Sequence, residues 1–510
     1  MLRKVKVENG WVEGLPAADP RITSFKGIPF AAPATGENRW RAPQPARDWD
    51  GVLKAYAFGP IAMQWKPGSN KEDIYTREWN YDEDIEQSED CLQLNVWTPA
   101  KKADEKLPVF VWYYGGGLQV GNPAEMEFDG ERLARRGVVV VTVNYRLNTF
   151  GFLCHPEISA EQPDAPANFG HLDQQAGTRW VKRNIAAFGG DPDRITIGGQ
   201  SAGGGSVLSQ VTSPQNKGLF QGAIVESGAF APPYPGVRSP GKRMTLKEAE
   251  KEGEKFFEFL GVKTLAEARA LPGDYVRQKT LEYGGFWGTV IDDKFCAGNA
   301  FERFINNQRE MVPVMLGHTS DEFKSSPVFE TLEELENVAK ELYGEDAGEF
   351  LRLCKTKFDS VTEARELTAV RSIEYAIRIM GRAAAETGAE APLYYYNFDP
   401  TIPGWDKPGT FHSVDLWFFF ETLAKCWRPF TGKHYDLARL MCNYWANFIK
   451  TGDPNGRDAD GTPMPKWEEF TPENNRAMYF GDGFAEYGRE EPDDIMNFLV
   501  DHYFKKNPVR

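Results

Sequence analysis

Apolar residues along this chain fall into short continuous runs separated by amphipathic stretches. Residues 108–114 and 138–144 are β-branched and aromatic runs without polar alternation, the mark of strands covered on both faces of a largely parallel sheet. Residues 172–188 carry a helical pattern that stops at Gly189-Gly190-Asp191-Pro192, where Gly and Pro end a helix. Residues 195–199 read as another buried strand and 202–211 as a helix. Residues 223–226, 312–316 and 393–398 continue the strands. Two amphipathic regions, approximately 245–277 and 331–386, are predicted to be helical insertions that cap the sheet. The first hundred residues, rich in Pro, Gly and Trp, read as short strands and turns. Strands that alternate with helices define an α/β protein with a large central, mostly parallel twisted sheet flanked by helices. No repeat or low-complexity linker divides it, so residues 1–510 are read as a single domain.

Composition narrows the picture. With 41% hydrophobic and 26% charged residues the chain can bury a large core, which excludes disordered and fibrous classes. A formal charge of −15 repels phosphate backbones and argues against nucleic acid as a partner. No run approaches the roughly 18 apolar residues of a membrane helix, and no apolar segment follows the basic residues near Met1. The expectation is a soluble, cytoplasmic protein without a membrane partner; a signal peptide already removed would leave the same sequence. Six cysteines are scattered without CxxC or zinc-type spacing, so free thiols and no metal are expected.

One motif carries chemistry. Gly199-Gln200-Ser201-Ala202-Gly203 matches G-x-S-x-G, follows a buried strand and opens a helix, as a nucleophile elbow requires. The competing reading is a glycine-rich turn that only packs a helix on a sheet. An activated serine needs donors for a developing oxyanion, and the Ala202 N–H supplies one. Gly115-Gly116-Gly117, after the strand at 108–114, is placed to supply others through bare backbone. In this order of parts the base follows the serine, leaving His318, His412, His434 and His502. His412 has the best setting, in the small-residue loop Gly409-Thr-Phe-His-Ser. For the acid, Asp321 and Glu322 both follow the strand at 312–316, and the residues alone do not choose between them.

Together these segments resemble the type-B carboxylesterase family, which includes cholinesterases, carboxylesterases and bacterial para-nitrobenzyl esterases. Phe25-Lys-Gly-Ile-Pro-Phe, Ser88-Glu-Asp-Cys-Leu-Gln-Leu-Asn-Val, Asn144-Tyr-Arg-Leu and Thr451-Gly-Asp-Pro-Asn extend the likeness from about Gly27 to Asn455. The resemblance implies an α/β-hydrolase fold and a Ser–Glu–His triad. By it, Ser201 is the nucleophile, Glu322 the acid, His412 the base, and Gly116, Gly117 and Ala202 the oxyanion donors. Ser227 corresponds to a second serine that supports the triad. Three positions depart from the family pattern. Phe323 stands where a Gly usually follows the acid, Gln200 stands where cholinesterases carry Glu, and Ala62 stands opposite Cys91 where secreted members form a disulfide.

The implied activity is hydrolysis of small to medium apolar or aromatic esters through an acyl-enzyme, with no metal or organic cofactor. A hydroxycinnamate (feruloyl-type) esterase is the narrower alternative, and a non-catalytic binding protein on the same fold is a third. Leu118, Gln200, Phe286, Trp287, Phe323, Phe411 and Trp417 flank the motifs and are the expected pocket walls. The cap helices offer a surface for a homodimer.

Overall fold

The computed structural model describes all residues except 81, 237–242, 356–357, 472, 490–492 and 509–510. Its centre is an 11-stranded sheet. In chain order the strands are β1 (Leu15–Pro16), β2 (Thr23–Pro29), β3 (Gln93–Thr98), β4 (Leu107–Tyr113), β5 (Val139–Val143), β6 (Gly190–Gln200), β7 (Gly222–Glu226), β8 (Val314–Thr319), β9 (Leu393–Phe398), β10 (Met478–Gly481) and β11 (Phe484–Tyr487). Their order across the sheet is β11-β10-β9-β8-β7-β6-β4-β5-β3-β2-β1. Pairing is parallel from β5 through β10 and antiparallel at both margins. Every residue of β5, β7, β8 and β9 is buried, because the crossovers between parallel strands cover both faces with helices. This is the α/β-hydrolase architecture expected above.

The strand ends differ from the sequence pattern by more than one residue in two places. The strand before the elbow begins at Gly190, not at residue 195, because Leu107 already pairs with Gly190 and a register shift absorbs the residues before Ile195. The preceding helix, Phe169–Asn184, runs on through a 3-10 turn at Ile185–Phe188 to Gly189, whose φ of 83° closes it. The strand expected at 312–316 runs instead over Val314–Thr319, which brings Asp321 and Glu322 to the first turn beyond its carboxyl end.

The two amphipathic regions are helical. Leu246–Leu260, Leu265–Ala270 and Gly273–Tyr283 form the first, and Leu332–Tyr343, Ala347–Cys354, Val361–Leu367 and Ser372–Glu386 the second. Thr245, Thr264 and Thr331 each close a capping box with the Glu three residues on, which satisfies two orphan backbone donors at each start. No helix among the described residues is long and apolar enough to cross a membrane.

Candidate active site

Ser201 sits between β6 and the helix Ala202–Thr212 with φ 57° and ψ −124°, a backbone region costly for any residue with a Cβ. Contacts on either side hold it there. Its N–H donates to the Glu226 carbonyl at 2.8 Å. A Cβ on Gly199 would meet the Gly203 backbone at 2.5 Å, and one on Gly203 would meet the Tyr113 carbonyl oxygen at 2.1 Å. The glycines of the motif are therefore demanded by the close passage of strand, turn and helix.

The His412 Nε2 lies 2.7 Å from Ser201 Oγ, and its Nδ1 is hydrogen-bonded to Glu322 Oε2. A proton on Nδ1, facing the carboxylate, leaves the Nε2 lone pair for the serine hydroxyl. Glu322 Oε1 accepts from Ser227 Oγ at 2.7 Å and from the Thr319 N–H at 2.8 Å. Burial pushes the Glu322 carboxyl up, but His412, His318 and the Ser227 hydroxyl outweigh it and hold the pKa below the usual glutamate value. Gln200 Nε2 comes within 3.3 Å of His412 Nε2. Of the other histidines that follow the serine, His318 is buried inside β8 with Nε2 2.8 Å from Tyr395 Oη. His434 reaches the Thr401 carbonyl from the start of its helix, and His502 the Leu342 carbonyl.

The structure separates the two candidate acids. Asp321 turns away from the imidazole, its Oδ2 accepting the Thr410 N–H at 3.0 Å while its own N–H donates to the Thr410 carbonyl at 3.2 Å. It braces the loop that carries His412.

Gly116 and Gly117 have φ of 102° and 66°, and a Cβ on Gly116 would meet the Val120 carbonyl oxygen at 2.1 Å. The N–H groups of Gly116, Gly117 and Ala202 have no acceptor among the described residues, and both glycines line the cavity that holds Ser201. Behind His412 lies a second carboxyl pair, Glu226 with Trp445 Nε1 at 2.6 Å and Asp415 with Tyr396 Oη at 3.1 Å. Burial, then Glu322, pushes Asp415 up to about 7. Burial, then Asp415, raises Glu226 well above its usual value.

The cavity measures about 760 Å³ and contains Ser201, His412, Gly115–Gly117, Gln200 and Phe323. Its remaining walls come from residues 64–80, notably Tyr75 and Trp79, and from Val120, Gly121, Glu125, Glu127, Phe128, Ser413 and Leu416. Apart from Ser413, none of these lies in a motif; three aromatics, Trp65, Tyr75 and Trp79, in a mostly polar stretch are the one unusual sign in the sequence. Five of the expected wall residues are not in this lining. Leu118 has φ 63°, which turns its side chain into the core. Phe286 is 55% exposed on the outer surface. Trp287 packs on Phe256 and Tyr283 of the inserted helices. Phe411 and Trp417 stand one layer behind the wall, Phe411 against Tyr75 and Trp417 against Trp79 with its Nε1 3.1 Å from Glu78 Oε2.

All six cysteines are free. Cys91 and Ala62 line the same small void, and burial raises the Cys91 thiol pKa far above its usual value. No group of three or more potential ligands among the described residues could hold a metal.

Comparison with known proteins gives a consistent answer. The profile of the carboxylesterase family matches residues 2–493. A para-nitrobenzyl esterase of Bacillus subtilis is 32% identical, covering 92% of this chain and 93% of its own length. A fumonisin B1 esterase of Sphingopyxis macrogoltabida is 31% identical over 88% of this chain and 82% of its own. Among solved structures, a Geobacillus stearothermophilus carboxylesterase superposes with a TM-score of 0.75 at 28% identity, covering 98% of this chain and 100% of its own. A para-nitrobenzyl esterase structure reaches 0.77 at 28% identity, covering 98% and 99%.

Proposed function

The chain belongs to the carboxylesterase family, a serine hydrolase of carboxylic esters, and on that premise we propose that Ser201, His412 and Glu322 carry the reaction. The observation behind this assignment is the single imidazole of His412 bridging Ser201 Oγ and Glu322 at the wall of the cavity.

His412 Nε2 takes the Ser201 Oγ proton as the serine oxygen bonds to the ester carbonyl carbon. The carbonyl oxygen becomes an alkoxide that accepts from the Gly116, Gly117 and Ala202 N–H groups. Each donor of this type is worth about 3 kcal/mol in the transition state. The tetrahedral intermediate collapses, His412 gives its proton to the leaving alcohol oxygen, and an acyl-serine remains. Water then attacks the acyl carbon, His412 takes its proton, and the serine leaves with that proton as the acid departs. Glu322 keeps the Nδ1 tautomer and stabilises the imidazolium. Ser227 positions Glu322. No cofactor takes part in these steps.

The apolar walls from Val120, Tyr75, Trp79, Phe128, Phe323 and Leu416 support small to medium apolar or aromatic esters as substrates. The test is hydrolysis of para-nitrophenyl acetate, butyrate, octanoate and decanoate, beside methyl ferulate, by wild type and Ser201→Ala. Activity on the aliphatic series, lost in the folded variant, is expected. Equal activity in the variant would remove Ser201 from the mechanism, and ferulate turnover far above the aliphatic esters would replace the broad substrate class with a hydroxycinnamate one.

A further inference from the structure

At the opposite end of the sheet from Ser201, six cations gather around one cleft in a chain whose formal charge is −15. They are Arg132, Arg135, Arg136, Arg439, Lys450 and Arg457, and only two carboxylates, Glu421 and Asp458, share the lining. The cleft measures about 320 Å³. Its position follows from Arg194, which donates to the Lys450 carbonyl at 2.8 Å and to the Lys106 carbonyl at 3.4 Å. Lys106 directly precedes β4, so Lys450 stands by the amino ends of the parallel strands, whereas Ser201, Glu322 and His412 stand at the carboxyl ends.

Half of the cations are already compensated. Arg136 pairs with Glu421 at 2.7 Å and holds Asn443 Oδ1 at 2.6 Å, Arg439 pairs with Asp458, and Arg135 pairs with Asp19 at 3.2 Å. These contacts fix the helix Glu131–Ala134, the long helix Gly432–Thr451 and the strap at 457–459 around the cleft. The other three, Arg132, Lys450 and Arg457, have no carboxylate partner among the described residues. Among the described residues, the guanidinium of the strap's Arg457 makes one hydrogen bond, to the Gly461 carbonyl at 2.7 Å. Burial, then repulsion by Arg136, lowers the pKa of the Lys450 amine.

Like charges held in a rigid frame without counter-charge raise the electrostatic energy of the folded chain. An anion of two or more charges relieves it, and the guanidinium fork matches the geometry of phosphate oxygens. We propose that this cleft is a binding site for a small polyphosphate anion, with Arg132, Lys450 and Arg457 as the free ligands and Arg136 and Arg439 as the fixed ones.

Calorimetric titration of the full chain with pyrophosphate, at constant ionic strength, tests it. Wild type is expected to bind at one site. The triple variant R132Q/K450Q/R457Q breaks no ion pair and should bind at least about tenfold more weakly, since each lost charged hydrogen bond is worth more than that factor. Its para-nitrophenyl acetate hydrolysis should stay at the wild-type level, which also reports that it folds. K450Q alone should weaken binding, while K340Q, on the exposed face of the helix Leu332–Tyr343, should not. No saturable binding to wild type, equal affinity in the triple variant, or equal weakening by K340Q would each overturn the assignment.

Discussion

Asp321 and Glu322 are neighbours in the chain and face opposite ways: Glu322 is hydrogen-bonded to the His412 imidazole, and Asp321 to the backbone of Thr410 in the loop that delivers it. In the proposed triad one carboxylate sets the tautomer of the base; the other, through Thr410, sets its place. The pair yields a clean contrast. Glu322→Gln should cut kcat by roughly 10³–10⁴, as loss of a triad acid does. Asp321→Asn keeps an acceptor for the Thr410 N–H and should change kcat by less than about tenfold, because it removes one hydrogen bond and not the charge at the imidazole. Steady-state kinetics of the two variants measures both. The reverse ranking would contradict the assignment.

The elbow was legible because its chemistry is local. A serine at positive φ between a buried strand and a helix needs small neighbours at fixed offsets, and those offsets appear in Gly199 and Gly203. The acid was not legible from the residues alone. Two consecutive carboxylates after one strand differ only in which way the turn aims them, and that is set by Ser227 and Thr410, distant in sequence. The cavity walls were hidden for a related reason. Phe286, Trp287 and Trp417 lie near motifs or in aromatic runs, but Tyr75 and Trp79 reach the cavity of the serine through space from the short helix Ile74–Glu78 and its end, where there is no motif.

Two glycines one turn into the chemistry separate packing from propensity. A Cβ on Gly203 has the Tyr113 carbonyl oxygen at 2.1 Å, while one on Gly205 meets nothing closer than 3.7 Å. Gly205→Ala should therefore raise stability by about 0.5–1 kcal/mol through lower unfolded-state entropy. Gly203→Ala should lower it by more than that gain, since strand and helix must move apart. Denaturant midpoints at constant m report both signs.

Glu127 is fully buried in the cavity wall, and its carboxyl lies against that of Glu125, close enough for the two to share a hydrogen bond. Burial, then the charge of Glu125, raises its pKa well above the usual value, and burial pushes Glu125 up to about 7. A carboxyl whose pKa is raised on folding holds its proton in the native state after the unfolded chain has lost it. Its contribution to stability is therefore full below about pH 4, near the unfolded value, and is lost as pH rises towards and through the folded value. Glu127→Leu should flatten the fall in stability between about pH 5 and 7 and raise stability at pH 7 by about 1–3 kcal/mol. Melting temperature against pH for both proteins checks it, and an unchanged slope would refute it.

Trp79 packs against Tyr75 at 5.7 Å between ring centres, and both face the cavity. If these rings hold the apolar part of the ester, Trp79→Ala should raise KM for para-nitrophenyl decanoate by about tenfold. The same change should leave the value for the acetate within about twofold, since the short acyl group does not reach the ring. Equal effects on both esters would place the long chain elsewhere.

The most direct test of the account is to trap the covalent intermediate. Rapid mixing of the enzyme with para-nitrophenyl acetate, followed by acid quench and peptide mass spectrometry, should show a burst of nitrophenol of about one equivalent per chain. One acetyl group should be found on the peptide holding Ser201, and neither signal should appear in Ser201→Ala. An acetyl group stably placed on another residue, or a full burst in Ser201→Ala, would contradict the claim that Ser201, driven by His412 and Glu322, is the nucleophile.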